Sequence, residues 1–288
     1  MVMSRHLAPS TFDELAAQGD SLDVALGVAL LARDVYGDLS TDDLLARFDD
    51  LAKPLVGQRL AHRPLHEQAD ALGAHLYVHL GFTGNEDDYY DPKNSLLPDV
   101  LERRRGIPIS LALVYCEVAR RVGVRARGVG FPGHFLVRLD CGPERDGQEA
   151  PIFVDPFFGG RILDEAALSA LLGRVAGQAQ AQAVMRPDML DPIAPRPMLL
   201  RWLHNLRSVY LARNELTRAL LVVDRIASLS PGEAGPLRDR GLLAAKLGAT
   251  ASAREDLERV VLLDPNGEHG REAKAALTRL GEPKGAPN

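Results

Sequence analysis

A recurrence near the C-terminus constrains this chain more than any other feature. Asn214 matches Gly248, Ala219 matches Ala253, Val223 matches Leu257, Ile226 matches Val260 and Pro231 matches Pro265, always 34 positions apart. Agreement at one offset marks a repeated helix pair, which cannot bury its apolar face alone and must stack on a neighbour. Alanine at 219 and 253 lets two helices approach closely, and the prolines end each unit. The pattern predicts antiparallel pairs over about Leu199–Arg213 with Glu215–Leu229, and Gly235–Leu247 with Ala249–Leu263. Glu272–Leu280 is expected to cap them, and residues 282–288 to fray.

Ahead of the repeats, Pro187, Pro192, Pro195 and Pro197 predict a stiff, non-helical linker over 186–198. Residues 1–185 are read as one domain. Its first part, 10–101, is helical: Leu22, Ala25, Leu26, Ala29, Leu30 and Val35 recur at helical spacing. Ser40–Asp43 opens a second helix, ended by Pro54, and a third covers about Pro64–Leu80. Residues 102–172 mix types. Ile109, Ala112, Leu113 and Cys116 share a helical stripe closed at Gly123, and strands are expected at Val124–Gly130, Phe135–Leu139 and Ile152–Asp155. Cys141–Gly147 is a turn-rich connection. A helix followed by antiparallel strands makes this core α+β, and the region 199–281 all-α.

The chain has 288 residues, 46% hydrophobic and 25% charged, with a formal net charge of −5, which argues against general nucleic-acid binding. The clusters Arg103–Arg105 and Arg120–Arg121 read as solvated helix faces. Met1–Gly19 has no leader-like apolar run, and Val24–Ala32 is too short to span a membrane. Only two cysteines, Cys116 and Cys141, point to a reducing, cytoplasmic setting.

Cys116, His134 and Asp155 could form a thiol nucleophile, its general base and an orienting carboxylate. A buried cysteine is ordinarily a small hydrophobe. The neighbouring motifs sharpen the choice. Arg104–Leu111 (Arg-Arg-Gly-Ile-Pro-Ile-Ser-Leu), Phe131–Leu136 (Phe-Pro-Gly-His-Phe-Leu), Val154–Phe157 (Val-Asp-Pro-Phe) and the stretch from Gly81-Phe82 through Tyr89-Tyr90-Asp91-Pro92 to Asn94-Ser95 resemble the transglutaminase-like SirB family. The resemblance covers about Leu65–Gly160. It implies a papain-type, transglutaminase-like core, followed here by tetratricopeptide helices.

In active relatives of that superfamily the nucleophilic cysteine opens the core helix. Alignment on Gly123–Arg127 puts Pro108 at that position. Ser110 faces another side of the helix, and Cys116 lies roughly 12 Å further along it. His134 and Asp155 match the superfamily's histidine and aspartate. Asn94, Ser95, Pro108, Ser110, His134 and Asp155 are therefore the ligand or cleft candidates, with Asn94 and Ser95 also suited to capping the next helix. His75 and His79 stand four apart but lack a third ligand, and Asn85–Asp91 lacks the spacing of a calcium loop. The expected function is a non-catalytic transglutaminase-like domain whose tetratricopeptide arm takes a protein or peptide, with no cofactor, metal or membrane. The competing expectation is a cysteine hydrolase or acyltransferase using Cys116, His134 and Asp155.

Overall fold

The computed structural model describes residues 9–142, 149–176 and 185–281. His6, most of the Cys141–Gly147 connection and residues 282–288 lie outside the described residues. Along the chain run helices α1 (Phe12–Ala16), α2 (Val24–Tyr36), α3 (Thr41–Ala52) and α4 (Leu65–Gly73). After these come β1 (Thr83–Gly84), α5 (Leu97–Arg103), β2 (Arg105–Gly106) and α6 (Pro108–Arg121). Strands β3 (Arg125–Val129), β4 (Leu136–Asp140), β5 (Ile152–Asp155) and β6 (Arg161–Leu163) follow, then α7 (Glu165–Ala176). The chain ends in α8 (Pro195–Ala212), α9 (Leu216–Leu229), α10 (Ala234–Lys246), α11 (Thr250–Leu263) and α12 (Glu268–Leu280).

Two compact units divide the chain, one of Asp23–Trp202 and one of Met1–Leu22 with Leu203–Asn288. The first unit is α+β. Its helix starts follow local chemistry: the Ser40 hydroxyl accepts the Asp43 N–H at 3.2 Å, and Asp23 Oδ1 accepts the Leu26 N–H at 3.0 Å. Beyond α4 the helix loosens into a π-helical turn over Ala74–His79, so the third helix is not uniform to Leu80. The sheet order is β3-β4-β5-β6, all antiparallel, with Val137 opposite Val154 and Asp155 opposite Arg161. The first three strands fall on the spans expected at Val124–Gly130, Phe135–Leu139 and Ile152–Asp155. β6, Arg-Ile-Leu, is too short to stand out in the sequence and is specified by pairing with β5. Helix α6, buried from Pro108 to Tyr115, packs on β3 and β4. Val129, Phe131, Leu136, Phe153 and Leu163 pack with Leu168, Leu171 and Leu172 of α7.

The second unit is all-α. Asn214 and Gly248, equivalent in the repeat, have φ of 58° and 81°. Each turn between paired helices needs a left-handed residue, which glycine adopts freely and asparagine tolerates. Ala219 and Ala253, Val223 and Leu257, and Ile226 and Val260 are all buried, as one repeated packing face requires. Arg240 of α10 binds Asp256 Oδ1 of α11 at 2.7 Å and Asp224 Oδ1 of α9 at 2.6 Å, tying three helices together. Helix α1 joins this unit through buried Phe12 and Leu15. Asp13 accepts the Ser228 hydroxyl at 2.7 Å, and Arg225 lies over the Phe12 ring.

Two expectations need correction. Residues 186–198 are not a uniform linker: Pro187–Leu190 forms a 3₁₀ turn, Pro192 bridges to Val129, and α8 begins at Pro195. Proline in a first helical turn sacrifices no intrahelical bond, so Pro195 and Pro197 start a helix rather than prevent one. Residues 1–185 also do not make one compact unit, because α1 belongs with the repeats.

Candidate functional site

The site grows from the β4–β5 pair. His134 stands just before β4, in a turn closed by its own N–H donating to Phe131 O at 3.0 Å. Asp155 ends β5. His134 Nε2 meets Asp155 Oδ1 at 2.9 Å, and both side chains are buried, at 9% and 0% exposure. The same oxygen accepts the N–H groups of Phe157 and Phe158 at 3.1 and 3.3 Å, while Oδ2 accepts from Arg161 at 3.1 Å. Burial alone would raise this carboxyl's pKa. The hydrogen bond and charge of His134, the Phe158 N–H and Arg161 together outweigh burial and hold it below the ordinary carboxylate value. An ionised carboxylate only accepts, so Nε2 carries the proton. Nδ1 makes no hydrogen bond among the described residues.

Aromatic rings enclose the imidazole. Phe158 stacks on it with centroids 6.2 Å apart, and Phe157 meets it edge-on at 6.4 Å. Phe157 in turn touches Tyr89 at 5.9 Å, and Arg161 lies over Phe158 at 5.0 Å. Gly84 fits beside Phe157 because a Cβ there would come within 2.6 Å of that ring. The parallel pairing of Gly84 with Gly106 carries this contact toward the start of α6. Arg201 Nη2 donates to the carbonyls of Phe131 and His134, at 3.2 and 2.6 Å, and fixes the loop that bears the histidine.

No side-chain nucleophile opens α6. Pro108 is its first residue and is buried. The Ser110 hydroxyl accepts the Ile107 N–H at 3.0 Å and has Asn94 O at 2.8 Å, so it closes the helix N-terminus. Cys116 lies in the third turn. The residue as a whole is part-exposed, unlike buried Ile109 and Leu113, while protein surrounds the sulfur itself. Burial around the sulfur and the charge of Glu117 push its thiol pKa up, opposite to the depression that activates a cysteine.

The sequence profile of the transglutaminase-like superfamily matches residues 42–204, and that of the tetratricopeptide repeat matches 206–278. A UPF0162 protein of Xylella fastidiosa (strain 9a5c) is 40% identical over 268 residues, covering 92% of each chain. The chain belongs to the UPF0162 family of transglutaminase-like proteins. The UPF0162 protein of Vibrio cholerae serotype O1 is 30% identical over 205 residues, 71% of this chain and 73% of its own. F-box only protein 21 of Mus musculus is 42% identical over 109 residues, 36% of this chain and 17% of its own.

This UPF0162 chain therefore joins a transglutaminase-like core to tetratricopeptide helices. Its other candidate residues take structural positions. Asn94 does not cap α5. Its amide donates to the carbonyls of Asp88 and Tyr89 and accepts from Asn85, holding the Asn85–Asp91 loop closed. Among the described residues Ser95 offers only its carbonyl, to Trp202 Nε1 at 2.9 Å, and α5 begins after Leu96 without a side-chain cap. His75 Nε2 lies 2.7 Å from Leu51 O, and among the described residues no three His, Cys, Asp or Glu side chains are placed to hold a metal. Arg103 pairs with Asp91, Arg105 with Asp87, and Arg121 with Asp49 and Glu117, so these arginines bind acids rather than only facing solvent.

Sequence reasoning missed Arg161, Arg201, Phe158 and Tyr77. Gly159-Gly160 following Asp155-Pro-Phe-Phe was a signal for the turn that seats them. Gly160 has φ of 69°, and a Cβ there would overlap the Tyr77 ring. Burial pushes the Tyr77 phenol pKa well up, with Tyr115, Asp155 and Cys116 adding to the rise.

Proposed function

We propose that the UPF0162 chain is a non-catalytic transglutaminase-like domain joined to a tetratricopeptide arm, and that it works as a protein-interaction or regulatory module. One observation carries this reading: Pro108, which has no nucleophilic atom, opens the core helix. Thiol chemistry of this type needs a thiolate in the field of a helix N-terminus with a histidine in reach. Cys116 lies eight residues beyond that position, and burial disfavours its thiolate. Ser110 cannot replace it, because its hydroxyl closes the helix start.

The His134–Asp155 pair then acts as a fixed polar buttress. It joins β4 to the turn after β5 and leaves Nδ1, which makes no hydrogen bond among the described residues, to meet a ligand or partner. Tetratricopeptide helix pairs stack with a small rotation and so expose a concave face, which supports the arm as the partner-binding element. Cys116 and Cys141 are both free thiols, in keeping with a reducing, cytoplasmic setting.

The test is turnover by the full chain. Wild type, Cys116→Ala and His134→Ala are offered an activated ester and a glutamine-containing peptide with a primary amine. All three are expected to give only the background rate. A wild-type rate abolished by both substitutions would contradict the reading and restore the cysteine-enzyme alternative.

A further inference from the structure

Around the His134 loop three side chains carry polar atoms without partners. His134 is 9% exposed, yet its Nδ1 makes no hydrogen bond among the described residues and is not sealed from solvent. Arg201 spends Nη2 on two loop carbonyls, while its Nη1 and Nε donate to nothing among those residues and are open too. The Tyr89 hydroxyl is the third. Contacts close the three into a circuit. Arg201 holds the His134 carbonyl, the His134 ring meets Phe157 at 6.4 Å, and Phe157 meets Tyr89 at 5.9 Å. Burial and Tyr90 raise the Tyr89 pKa against the charge of Arg201, which returns the circuit to its start. The charge balance is one-sided. Asp155 is committed to its four donors, Arg161 among them. On the loop that carries Tyr89, Asp87 and Asp91 are paired with Arg105 and Arg103. Burial pulls the Arg201 pKa down, and no Asp or Glu among the described residues stands near enough to offset it. A part-buried cation without an acid beside it lacks an anion as its complement. Next to it runs an unbroken series of rings, Tyr90, Tyr89, Phe157 and Phe158, of which all but Phe157 are exposed.

We propose that this site binds an organic carboxylate, with its acid group on Arg201 and the Tyr89 hydroxyl, its apolar body against the Tyr89 and Phe158 rings, and a hydrogen bond to His134 Nδ1. Few polar groups converging beside aromatic walls are what a small-ligand site requires. A cationic ligand would meet Arg201 with no free acid beside it, and a neutral one would leave that charge uncompensated. Two sources present this chemistry, a free aryl- or alkyl-carboxylic acid and the C-terminal carboxylate of a peptide. The proposal rests on the non-catalytic reading of the first domain and names what the retained His134–Asp155 pair helps to hold.

The test titrates the full chain, with ¹⁵N-labelled histidine, against 3-phenylpropionate, its amide, an acetylated Gly-Ser peptide ending in a free phenylalanine carboxylate, and the same peptide amidated. Calorimetry gives the affinities and NMR follows the His134 Nδ1 resonance. Each acid is expected to bind about tenfold more tightly than its amide, and the bound acid to move that resonance. Binding by either acid supports the proposal, and the tighter of the two identifies the source. Arg201→Gln removes the charge while keeping a donor for the loop carbonyls, and Tyr89→Phe removes only a hydroxyl at an exposed position. Both should weaken the acids and leave the amides unchanged. Equal binding of acid and amide, no binding by either acid, an unmoved Nδ1 resonance, or indifference to Tyr89→Phe would overturn the proposal. The titration is repeated on Cys116→Ala, where binding is expected to persist. Thiol-dependent turnover by the wild type would sink the non-catalytic reading and leave carboxylate binding by Cys116→Ala standing. Absence of binding would sink this proposal and leave the turnover result standing.

Discussion

His134 Nε2 donates to Asp155 Oδ1 at 2.9 Å, and that oxygen also accepts two backbone N–H groups while its twin accepts from Arg161. The aspartate is thus held by four donors, of which the histidine is one. His134→Ala should therefore destabilise the chain by about 2 kcal/mol, the scale of one hydrogen bond to a charged group. Chemical denaturation would measure this, and a change under about 0.5 kcal/mol would remove His134 from the set that holds the turn.

The Asp155 pKa lies below its ordinary value, so the folded state binds the proton less readily than the unfolded one. Its contribution to stability is full above the unfolded pKa of about 4 and is lost as pH falls through the folded value. Asp155→Asn should lower stability at neutral pH and flatten the acid limb of the stability–pH curve. Some slope should persist, because Asp140, held by Arg127 and Arg138, is lowered in the same direction despite its burial. Urea midpoints across the acid range check both statements.

Gly160→Ala should cost roughly 2–4 kcal/mol, combining a left-handed residue with overpacking. Its φ is 69° and its Cβ would overlap Tyr77. Tyr77→Ala in the same chain should recover part of the loss if the overlap is responsible, which a double-mutant cycle would read directly.

Ser110→Ala removes the side chain that satisfies the Ile107 N–H and contacts Asn94 O in a fully buried setting. A loss of about 1–2 kcal/mol is expected. In the repeats, Arg240→Ala should cost about 2–3 kcal/mol, because it strands buried Asp256 beside Asp224. Thermal unfolding of each variant tests these magnitudes.

Local chemistry explains what the sequence made legible. Ser40 accepts from Asp43 N–H, Pro108 suits a first helical turn, and Asn214 and Gly248 mark one turn position twice. The pair His134 and Asp155 was legible from the motifs Phe131–Leu136 and Val154–Phe157, and the β4–β5 pairing brings the two side chains to 2.9 Å. Arg161 was not, because β6 has no apolar alternation and exists through its partner strand. Arg201 was not, because it meets the His134 loop from 67 residues away. Pro195 and Pro197 misled because proline breaks a helix inside but not at its first turn. Asn94 misled similarly: a good capping residue was taken up by the Asn85 amide and two loop carbonyls.

The claim that no activated nucleophile faces His134 is tested most directly by the alkylation rate of Cys116 in the native full chain. Iodoacetamide at neutral pH, with modification at Cys116 followed by mass spectrometry, supplies the number. Because burial pushes this thiol pKa upward, alkylation slower than that of the same cysteine in the unfolded chain is predicted, with no change in His134→Ala. Alkylation faster than in the unfolded chain, and slowed by His134→Ala, would contradict the account.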